Sequence, residues 1–386
     1  MRKVDFQPTE LLVEIARRAH RHACPHCSFK TRAYYDAHVR SWRHVSLGRW
    51  RVTLRAELVR VQCPRHGVVT EAVPWAEHES RFTRDFEDLV AWHTREMNKT
   101  AVVRLMRIAW STVGAIVERV VARTIDKGRL DELYAIGIDE VSYRKGQKYL
   151  SVVMDHLEGK PVWIDEGRSG ATLGKFFDEL GKDRTEQLKV VTMDMCAAYI
   201  KEVRARAPGA AIAFDPFHVV KLANEAVQEV RRAEARERKG TPHAEALKGT
   251  RWALLKAPEN QTNKDRAKLS AVSAMNAKVY RAYLLKEELR ATYRCSPTSA
   301  PEHLDAWLAW ARRSRLEPFV RVAKTLTRYR EGVLDAIRYG ITNGPVESLN
   351  GRIAVLKHRA FGFHSAAALI AMVFLCCTKL QINLPT

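Results

Sequence analysis

The sequence has no uninterrupted apolar run of 18 residues, the length at which a membrane-spanning helix becomes a candidate. An apolar stretch near the C-terminus, "AAALIAMVFLCC" (366–377), is too short for that and predicts a core helix instead. The N-terminus carries charge from Arg2 onward and has no signal-peptide core. We therefore expect a cytosolic protein.

The sequence also lacks a G-x-x-x-x-G-K-[ST] loop, which argues against a helicase or another nucleotide-driven enzyme. Cysteine is scarce, with 7 residues among 386, and a cytosolic setting argues against disulfides. Four of the seven are isolated or adjacent to one another and predict small buried side chains: Cys196, Cys295, Cys376 and Cys377. The other three fall in a spacing pattern.

Acidic residues are few relative to basic ones. The chain has 65 Lys and Arg against 44 Asp and Glu, which gives a formal net charge of +21. An excess of this size predicts a polyanionic partner, and nucleic acid is the usual one. An anionic membrane surface is the alternative, but we find no long amphipathic helix with a basic face and exposed aromatic residues.

Two short motifs predict a structural zinc site. "CPHC" supplies Cys24 and Cys27, and "CPRH" supplies Cys63 and His66. Each motif places two donors three residues apart in a tight turn, and together they form the tetrahedral Cys3His set of structural Zn²⁺. Two alternatives stay open. The four groups could be unrelated, or His66 could be replaced as ligand by one of three nearby histidines: His20, His22 and His26.

The segment between the two motifs is long enough to form a small subdomain. Residues 42–63, "WRHVSLGRWRVTLRAELVRVQC", alternate apolar and polar side chains around a Gly-Arg turn, which predicts a β-hairpin. We predict a zinc-binding domain over residues 1–75.

Residues 98–124 have the spacing of a helix-turn-helix, whose second helix enters the major groove of DNA. One face of the first helix carries Ala101, Val102, Leu105 and Met106. After a break at 107–109, the second helix would bury Val113, Ile116, Val117 and Val120. It would turn outward Trp110, Ser111, Thr112, Ala115 and Arg119. Of these, Ser111, Thr112 and Arg119 are the predicted DNA contacts. Arg107 stands where such turns usually carry Gly, and a plain helical hairpin is the alternative for this domain, 76–128.

The pattern beyond residue 130 changes to strands. One apolar run ends in Asp139 and the next ends in Asp155, as turn-initiating residues often end strands. The segments "LYAIGID", "KYLSVVMD" and "KPVWIDEG" predict an antiparallel meander, and strand–helix alternation follows through "LKVVTMD" and "AAIAFD". This is the ribonuclease H order, in which the first and fourth strands are neighbours. Asp139 and Asp194 would then face each other, which favours a cation between them over two turn residues.

A third carboxylate is predicted on a late helix. In "ITNGPVESLNGRI", Pro345 opens a helix and Glu347 falls in its first turn. A Glu at that position is also favoured by the helix dipole and by capping, so it is informative only as part of the ordered set.

The long interval between Asp215 and Glu347 predicts an all-α insertion over residues 226–335, with a polar break at 256–265. Near its end, Arg321, Lys324 and Arg328 fall on one helical face. Contact with DNA phosphates is the preferred interpretation of that face, and a solvated surface is the alternative.

The sequence resembles the DDE transposases of bacterial insertion sequences, in particular the group named "ISL-three". The resemblance covers nearly the whole chain and is carried by "CPHC", "CPRH", "GIDEVSYRKGQKY", "VVTMDMCAAY", "DPFHVVK" and "TNGPVESLNGRI". It implies a zinc-binding domain, a helix-turn-helix and a ribonuclease H-like catalytic domain with a helical insertion. It also implies that Asp139, Asp194 and Glu347 are the catalytic triad. "DPFH" is similar to an element of related transposases that would make Asp215 and His218 auxiliary residues.

This resemblance implies a fold of the multidomain α+β class, with the catalytic domain split into 129–225 and 336–386. The triad would hold two Mg²⁺ or Mn²⁺ ions for phosphodiester cleavage and strand transfer, beside a structural Zn²⁺ upstream. The partners would be double-stranded transposon ends and target DNA, bound by a homodimer in the cytoplasm at the nucleoid. Two alternatives are a catalytically inactive, transposase-derived DNA-binding regulator and a stand-alone ribonuclease H-like nuclease.

Overall fold

Twelve β-strands form three sheets in the part of the chain that the computed structural model describes, residues 1–17 and 21–385. The chain divides into two units, one made of Met1–Asp126 with Val355–Thr386 and the other of Lys127–Ala354. The segment 336–386, which the sequence analysis assigns to the catalytic domain, is therefore shared between the two units. The finer five-part division stays a prediction.

The first unit begins with a five-stranded sheet and a two-stranded sheet. Its strands are β1 (Lys3–Phe6), β2 (Glu10–Ile15), β3 (His22–Ala23), β4 (Lys30–Thr31), β5 (Asp36–Arg43), β6 (Arg51–Cys63) and β7 (Gly67–Thr70). The larger sheet has the order β1-β2-β6-β5, with β7 also paired to β6, and β3 pairs with β4. β5 and β6 are antiparallel, which confirms the predicted hairpin. Val61 is fully buried and Gln62 is exposed, as the alternating pattern requires.

Four helices complete the first unit: α1 (Arg84–Glu96), α2 (Lys99–Met106), α3 (Trp110–Thr124) and α16 (Ala366–Cys377). α2 and α3 meet at 100° across the predicted three-residue break. The four predicted inward side chains of α3 are all buried, whereas Leu105 of α2 is 56% exposed, so its predicted place on the packed face is wrong. The packed face of α2 is narrower than predicted, because Val102 and Met106 alone are buried.

The turn between α2 and α3 forms without glycine, because Arg107 adopts the backbone conformation that glycine usually supplies. This residue ends α2 in the left-handed conformation, with φ 52° and ψ 50°. A non-glycine side chain in that region costs about 1 kcal/mol. The burial of α3 against its neighbours outweighs that cost, so the sharp bend survives with Arg at the position.

The second unit contains a mixed five-stranded sheet. Its strands are β8 (Ala135–Arg144), β9 (Lys148–Asp155), β10 (Lys160–Glu166), β11 (Val190–Met193) and β12 (Ala211–Phe214), in the order β10-β9-β8-β11-β12. The first three are antiparallel, and β11 runs parallel to both β8 and β12. The predicted neighbours, the first and fourth strands, are confirmed. The predicted end of the first strand at Asp139 is wrong, because pairing with β9 carries β8 on to Arg144.

Twelve helices belong to, or begin in, the second unit. They are α4 (Gly170–Leu180), α5 (Lys182–Gln187), α6 (Ala197–Arg206), α7 (Pro216–Glu237), α8 (Pro242–Ala246), α9 (Arg251–Leu255), α10 (Asn263–Met275), α11 (Ala277–Thr292), α12 (Ala300–Arg313), α13 (Glu317–Arg328), α14 (Arg330–Arg338) and α15 (Gly344–Arg359). Residues 226–335 are all described and contain no strand. The polar break falls between α9 and α10, where one short 3-10 turn, Pro258–Asn260, interrupts the chain.

Among the described residues, no single helix is both long and apolar enough to cross a membrane; the bent pair α2–α3 meets the length and composition criterion only when taken together. α16 is the predicted core helix, with Leu369, Val373 and Leu375 fully buried.

Candidate functional site

Two hairpin turns bring the four predicted zinc ligands together. Cys24 and Cys27 lie in the turn between β3 and β4, Cys63 is the last residue of β6, and His66 lies in the turn that follows, before β7. Their donor atoms all lie within 4.8 Å of one another. The Cys27 and Cys63 sulfurs are 3.7 Å apart, and His66 Nδ1 lies 3.6 Å from Cys24 Sγ and 3.5 Å from Cys63 Sγ.

These separations test whether the cluster fits zinc. Zn–S and Zn–N bonds of about 2.3 and 2.05 Å at tetrahedral angles require S···S and S···N separations of about 3.8 and 3.6 Å. The observed distances match, so the cavity between the four donors has the size of a Zn²⁺ ion. Burial opposes ionisation of the Cys63 thiol, but hydrogen bonds from the Arg65 and His66 backbone and the His66 ring lower its pKa to about 6. The thiolate form that binds metal is therefore favoured.

The alternative histidines have other surroundings. His22 Nδ1 lies 3.2 Å from a Glu71 carboxylate oxygen, and the His26 ring packs against the rings of His66 and His78. His20 lies outside the described residues. The geometry thus favours His66 as the fourth ligand.

The strand register brings two carboxylates side by side. β11 pairs with β8 through Val190↔Ala135 and Thr192↔Gly137, and two further residues along both strands lead to Asp194 and Asp139. Burial raises the pKa of Asp139, and the charge of Asp194 raises it further. The charge of Asp194 is close enough to oppose ionisation of Asp139, as between neighbouring carboxylates where a cation is expected.

A third carboxylate and a histidine adjoin Asp194. Asp215 follows β12, caps the N-terminus of α7 by accepting from Phe217 N, and is 4% exposed. His218, one turn into α7, places Nδ1 2.6 Å from Asp194 Oδ1 and 2.9 Å from Asp215 Oδ2. Its hydrogen bonds to these two carboxylates raise the pKa of His218 to about 10. The structure therefore brings Asp194, Asp215 and His218 into one cluster.

Helix α15 crosses the same face of the sheet. A Cβ on Gly137 would meet Val346 Cγ2 at 2.4 Å, so the helix approaches β8 this closely only because residue 137 is glycine. Thr192 of β11 donates a hydrogen bond to Asn343 Oδ1 at 2.9 Å, just before the helix begins. Side chains alternate along a strand, so Asp139, two residues after Gly137, faces this helix as well.

Asn350 links α15 to the predicted site. Its Nδ2 donates to Asp139 Oδ2 at 2.5 Å across 211 residues of sequence. Glu347 lies one turn earlier on the same helix face and is exposed, in the first turn as predicted. Glu347 and Asp139 are not among the described residues whose ligand atoms cluster within 4.8 Å.

Asn343 and Asn350 were not predicted as site residues from the sequence. A signal for them was present, because Asn343, Glu347 and Asn350 have the spacing i, i+4, i+7 that places three polar groups on one helix face. That face covers Gly137 and Asp139 of β8 and the end of β11.

Part of the predicted DNA-reading face of α3 makes contacts within the protein. Ser111 is exposed and Thr112 half-buried. Arg119 donates from Nε and Nη2 to Glu87 Oε1 at 2.9 and 2.6 Å, and that Glu87 side chain on α1 is fully buried. Contact between Arg119 and DNA stays a prediction. The ion pair with Glu87 also holds α3 to α1, a role that the sequence did not suggest.

Three family models match the chain in the order of these sites. A zinc-finger of transposases IS204, IS1001, IS1096 and IS1165 matches residues 20–66, the helix-turn-helix domain of transposase family ISL3 matches 71–121, and an ISL3 model described as transposase matches 136–373. The last covers more than half of the chain. The chain belongs to the ISL3 family of transposases.

Curated relatives are similar over most of the chain. The transposase for insertion sequence element IS1557 of Mycobacterium tuberculosis is 41% identical, over 94% of this chain and 87% of that protein. The transposase for insertion sequence element IS1001 of Bordetella parapertussis is 29% identical, over 88% of this chain and 85% of that protein. The predicted family, the transposase function and the zinc-finger and helix-turn-helix domains are confirmed, and these domains imply DNA binding.

The carboxylate site of this transposase has the donor chemistry that Mg²⁺ or Mn²⁺ requires. Hard oxygen ligands converge there, unlike the thiolates upstream. One oxygen at the site, Asn350 Oδ1, is buried without a hydrogen-bond partner. A bound divalent cation would satisfy such an atom, so the residues fit the metal that the family implies.

The basic face predicted on the transposase insertion is partly neutralised. Arg321 forms an ion pair with Glu229 at 2.6 Å, whereas Lys324 and Arg328 are exposed. Phosphate contact by these three residues stays a prediction.

Proposed function

We propose that this transposase binds the ends of its own insertion sequence and cuts and joins DNA at a centre formed by Asp139, Asp194 and Glu347. The observation that carries the proposal is the parallel pairing of β8 and β11, which sets Asp139 beside Asp194 under the helix that carries Glu347. The strand order β10-β9-β8-β11-β12 supports a ribonuclease H-like fold for the domain.

The three carboxylates would hold Mg²⁺ or Mn²⁺, with two ions bound in the active state. When bound, such ions supply an activated water or 3′-hydroxyl and stabilise the leaving oxygen of a phosphodiester. The protein's own residues orient the ligands. Asn350 Nδ2 donates to Asp139 Oδ2 and fixes the rotation of that carboxylate, which leaves the opposite oxygen to accept from Glu140 N.

Asp215 and His218 would be positioning residues for Asp194. Asp215 is held at the start of α7 by its capping bond, and it directs the His218 ring through Nδ1. His218 Nδ1 also lies 2.6 Å from Asp194 Oδ1, so the protonated ring balances the charge of both carboxylates. This arrangement would hold the Asp194 side chain in place at the carboxyl end of β11.

The helix-turn-helix would read the transposon ends. Ser111 and Thr112 lie at the start of α3, the part of a recognition helix that contacts base edges. Joining two ends to target DNA requires two active centres, so we expect a homodimer in the DNA complex, associated with the nucleoid.

Cleavage of transposon-end DNA by the Asp139→Asn variant tests the proposal. The substitution keeps the shape of the side chain and removes its charge, so cleavage in Mg²⁺ should fall by about a thousandfold or more while binding to end DNA persists. The matched control is Asp155→Asn. Asp155 accepts from Leu157 N and Glu158 N in a turn, and it lies opposite Ile136, about 10 Å along β8 from Asp139.

Asp155→Asn should cut at nearly the wild-type rate, since an amide oxygen still accepts those two bonds. Asp139→Asn cutting as fast as wild type would remove the proposed centre. If only the Asp155→Asn variant loses cutting, the catalytic centre would lie at the opposite end of the sheet.

A further inference from the structure

A cavity of about 330 Å³ lies between α7 and α9, in the helical insertion and outside the proposed catalytic centre. One face of α7 lines it with residues at the spacing i, i+1, i+4, i+7, i+8: Asn224, Glu225, Gln228, Arg231 and Arg232. Arg251 and Leu255, one turn apart on α9, close the other side. Three arginines thus meet one glutamate around a single cavity.

These arginines have no acidic partners. No ion pair in the described part of the chain includes Arg231, Arg232 or Arg251, although arginines elsewhere pair frequently with carboxylates. Arg231 is half-buried, and burial together with the charges of Arg232 and Arg251 lowers the pKa of its guanidinium. The folded chain therefore holds three positive charges beside the single negative charge of Glu225, with which none of them forms an ion pair in the described chain, and an anionic ligand would stabilise the remaining positive charge.

The cavity is also pre-arranged. Arg231 Nε donates to Gln228 Oε1 at 3.0 Å, and Arg232 Nε donates to the Gln228 carbonyl at 3.2 Å. This leaves Gln228 Nε2 as a buried donor with no partner. Asn224 Oδ1 is likewise buried and unpartnered, and a half-turn of that amide presents its Nδ2 donor instead.

Helix α9 is fixed from behind by buried hydrogen bonds. The fully buried Lys286 donates from Nζ to Leu254 O at 2.7 Å, and Gln261 Nε2 donates to Ala253 O at 3.0 Å. The short helix cannot shift without breaking both bonds. Arg251, two and three residues from these acceptors, is therefore held at the mouth of the cavity.

We propose that Arg231, Arg232 and Arg251 form a phosphate pocket that binds one backbone phosphate of the DNA duplex held by the transposase. Guanidinium groups and an amide donor are the groups that bind phosphate oxygens bidentately. Arg232 lies 14 residues after His218 on the same unbroken helix, about 21 Å along its axis, or roughly six base pairs of B-form DNA. Fourteen residues are just under four helical turns, so Arg232 and His218 lie on nearly the same face of α7, and a duplex cut beside His218 can reach the pocket.

The inference rests on the proposed binding of duplex DNA and not on the proposed metal centre. The test is a binding titration of the full chain with a duplex carrying the transposon end, without added Mg²⁺, over a range of salt concentrations. Arg231→Gln with Arg251→Gln should weaken binding about tenfold near 150 mM salt and reduce the slope of log affinity against log salt by about one.

A charge-matched control uses the same helix region. Arg236 and Lys239 are exposed, form no ion pair in the described chain and lie outside the cavity lining. Arg236→Gln with Lys239→Gln removes the same two charges and should change affinity by less than about twofold. Equal weakening of both double variants, or of neither, would overturn the pocket.

Two further measurements separate folding and ligand effects. Arg251→Gln alone replaces an exposed side chain, so the melting temperature should stay as in wild type while DNA affinity falls by less than in the double variant. Arg251→Lys keeps the positive charge and should restore the wild-type slope of log affinity against log salt. The second measurement adds inorganic phosphate. If phosphate raises the melting temperature of wild type but not of the double variant, and both proteins bind DNA equally, the cavity binds a free anion and the DNA assignment is overturned. Wild type failing to bind end DNA would instead contradict the proposed function.

Discussion

The zinc-ligand cluster and the carboxylate centre of this transposase are built in opposite ways. The cluster takes four donors from two hairpins, and all four already lie within 4.8 Å of one another. The centre draws on two strands and a helix, and one of its hydrogen bonds, Asn350 to Asp139, spans 211 residues. Glu347 remains exposed beside it. A local and closed site suits a structural role, and a dispersed and open site suits a substrate that must enter.

The difference has an energetic consequence. Removing a ligand from the closed site should destabilise the fold around it, because metal binding supplies folding free energy there. Removing a carboxylate from the open site should stop chemistry and leave the fold intact, because the sheet and α15 are held by other contacts. The following experiments test this contrast, from the largest expected effect to the smallest.

Cys63→Ser should release the structural zinc and unfold the small β-sheet domain, with a loss on the order of 10 kcal/mol of metal-binding free energy. Metal content and thermal melting report this, and the second unit should still melt as in wild type. The control is Cys295→Ser, since Cys295 lies in the second unit, where Sγ donates to the Ala291 carbonyl, and the variant should keep full zinc content. Wild-type protein purified without zinc would contradict the assignment.

Glu347→Gln should lower end cleavage by about three orders of magnitude, equivalent to about 4 kcal/mol in the barrier. Binding to end DNA and the melting temperature should stay as in wild type, because the side chain is exposed. Cleavage and binding are measured on the same duplex. Ser348→Ala, at the adjacent exposed position, is the control, and similar losses in both variants would mean that α15 itself had been disturbed.

Arg119→Ala should destabilise the first unit by about 2 kcal/mol, because the fully buried Glu87 loses its closest partner and retains Arg123 at 3.3 Å. The value is below that of a fully buried pair, since Arg119 is about one third exposed. Chemical denaturation measures it, with exposed Arg104→Ala as the control. If the denaturation midpoint of Arg119→Ala equals that of wild type, the ion pair does not stabilise the unit, and DNA contact is the only role that remains proposed for Arg119.

Ser111→Ala with Thr112→Ala should reduce discrimination between end DNA and random DNA by about 1 kcal/mol and leave the melting temperature unchanged. Competition binding against a shuffled duplex measures the ratio. Discrimination equal to that of wild type would move recognition to another surface of the chain.

Local patterns in the sequence predicted much of this architecture. The two cysteine motifs, the break between α2 and α3, and the order of the strands all follow from spacing and periodicity within short windows. Glu347 could be placed in the first turn of its helix by the same means, because Pro345 marks where that helix begins.

Features set by pairing between distant segments could not be read in this way. β8 continues past Asp139 because β9 supplies its partners, and nothing within the strand itself marks that extension. Arg119 occupies an outward position by helical spacing, yet the buried Glu87 of another helix determines its contacts. The phosphate pocket likewise depends on how α9 packs against α7, although its arginines are visible in the sequence.

The central claim is that the catalytic metal binds between β8 and β11 under α15. Anomalous diffraction from crystals of the transposase containing Mn²⁺ tests it most directly, because the ion is located without reference to activity. The account predicts an anomalous peak coordinated by Asp139 and Asp194, which weakens in Asp139→Asn. A peak held by Asp194, Asp215 and His218 alone, and unchanged in Asp139→Asn, would contradict it.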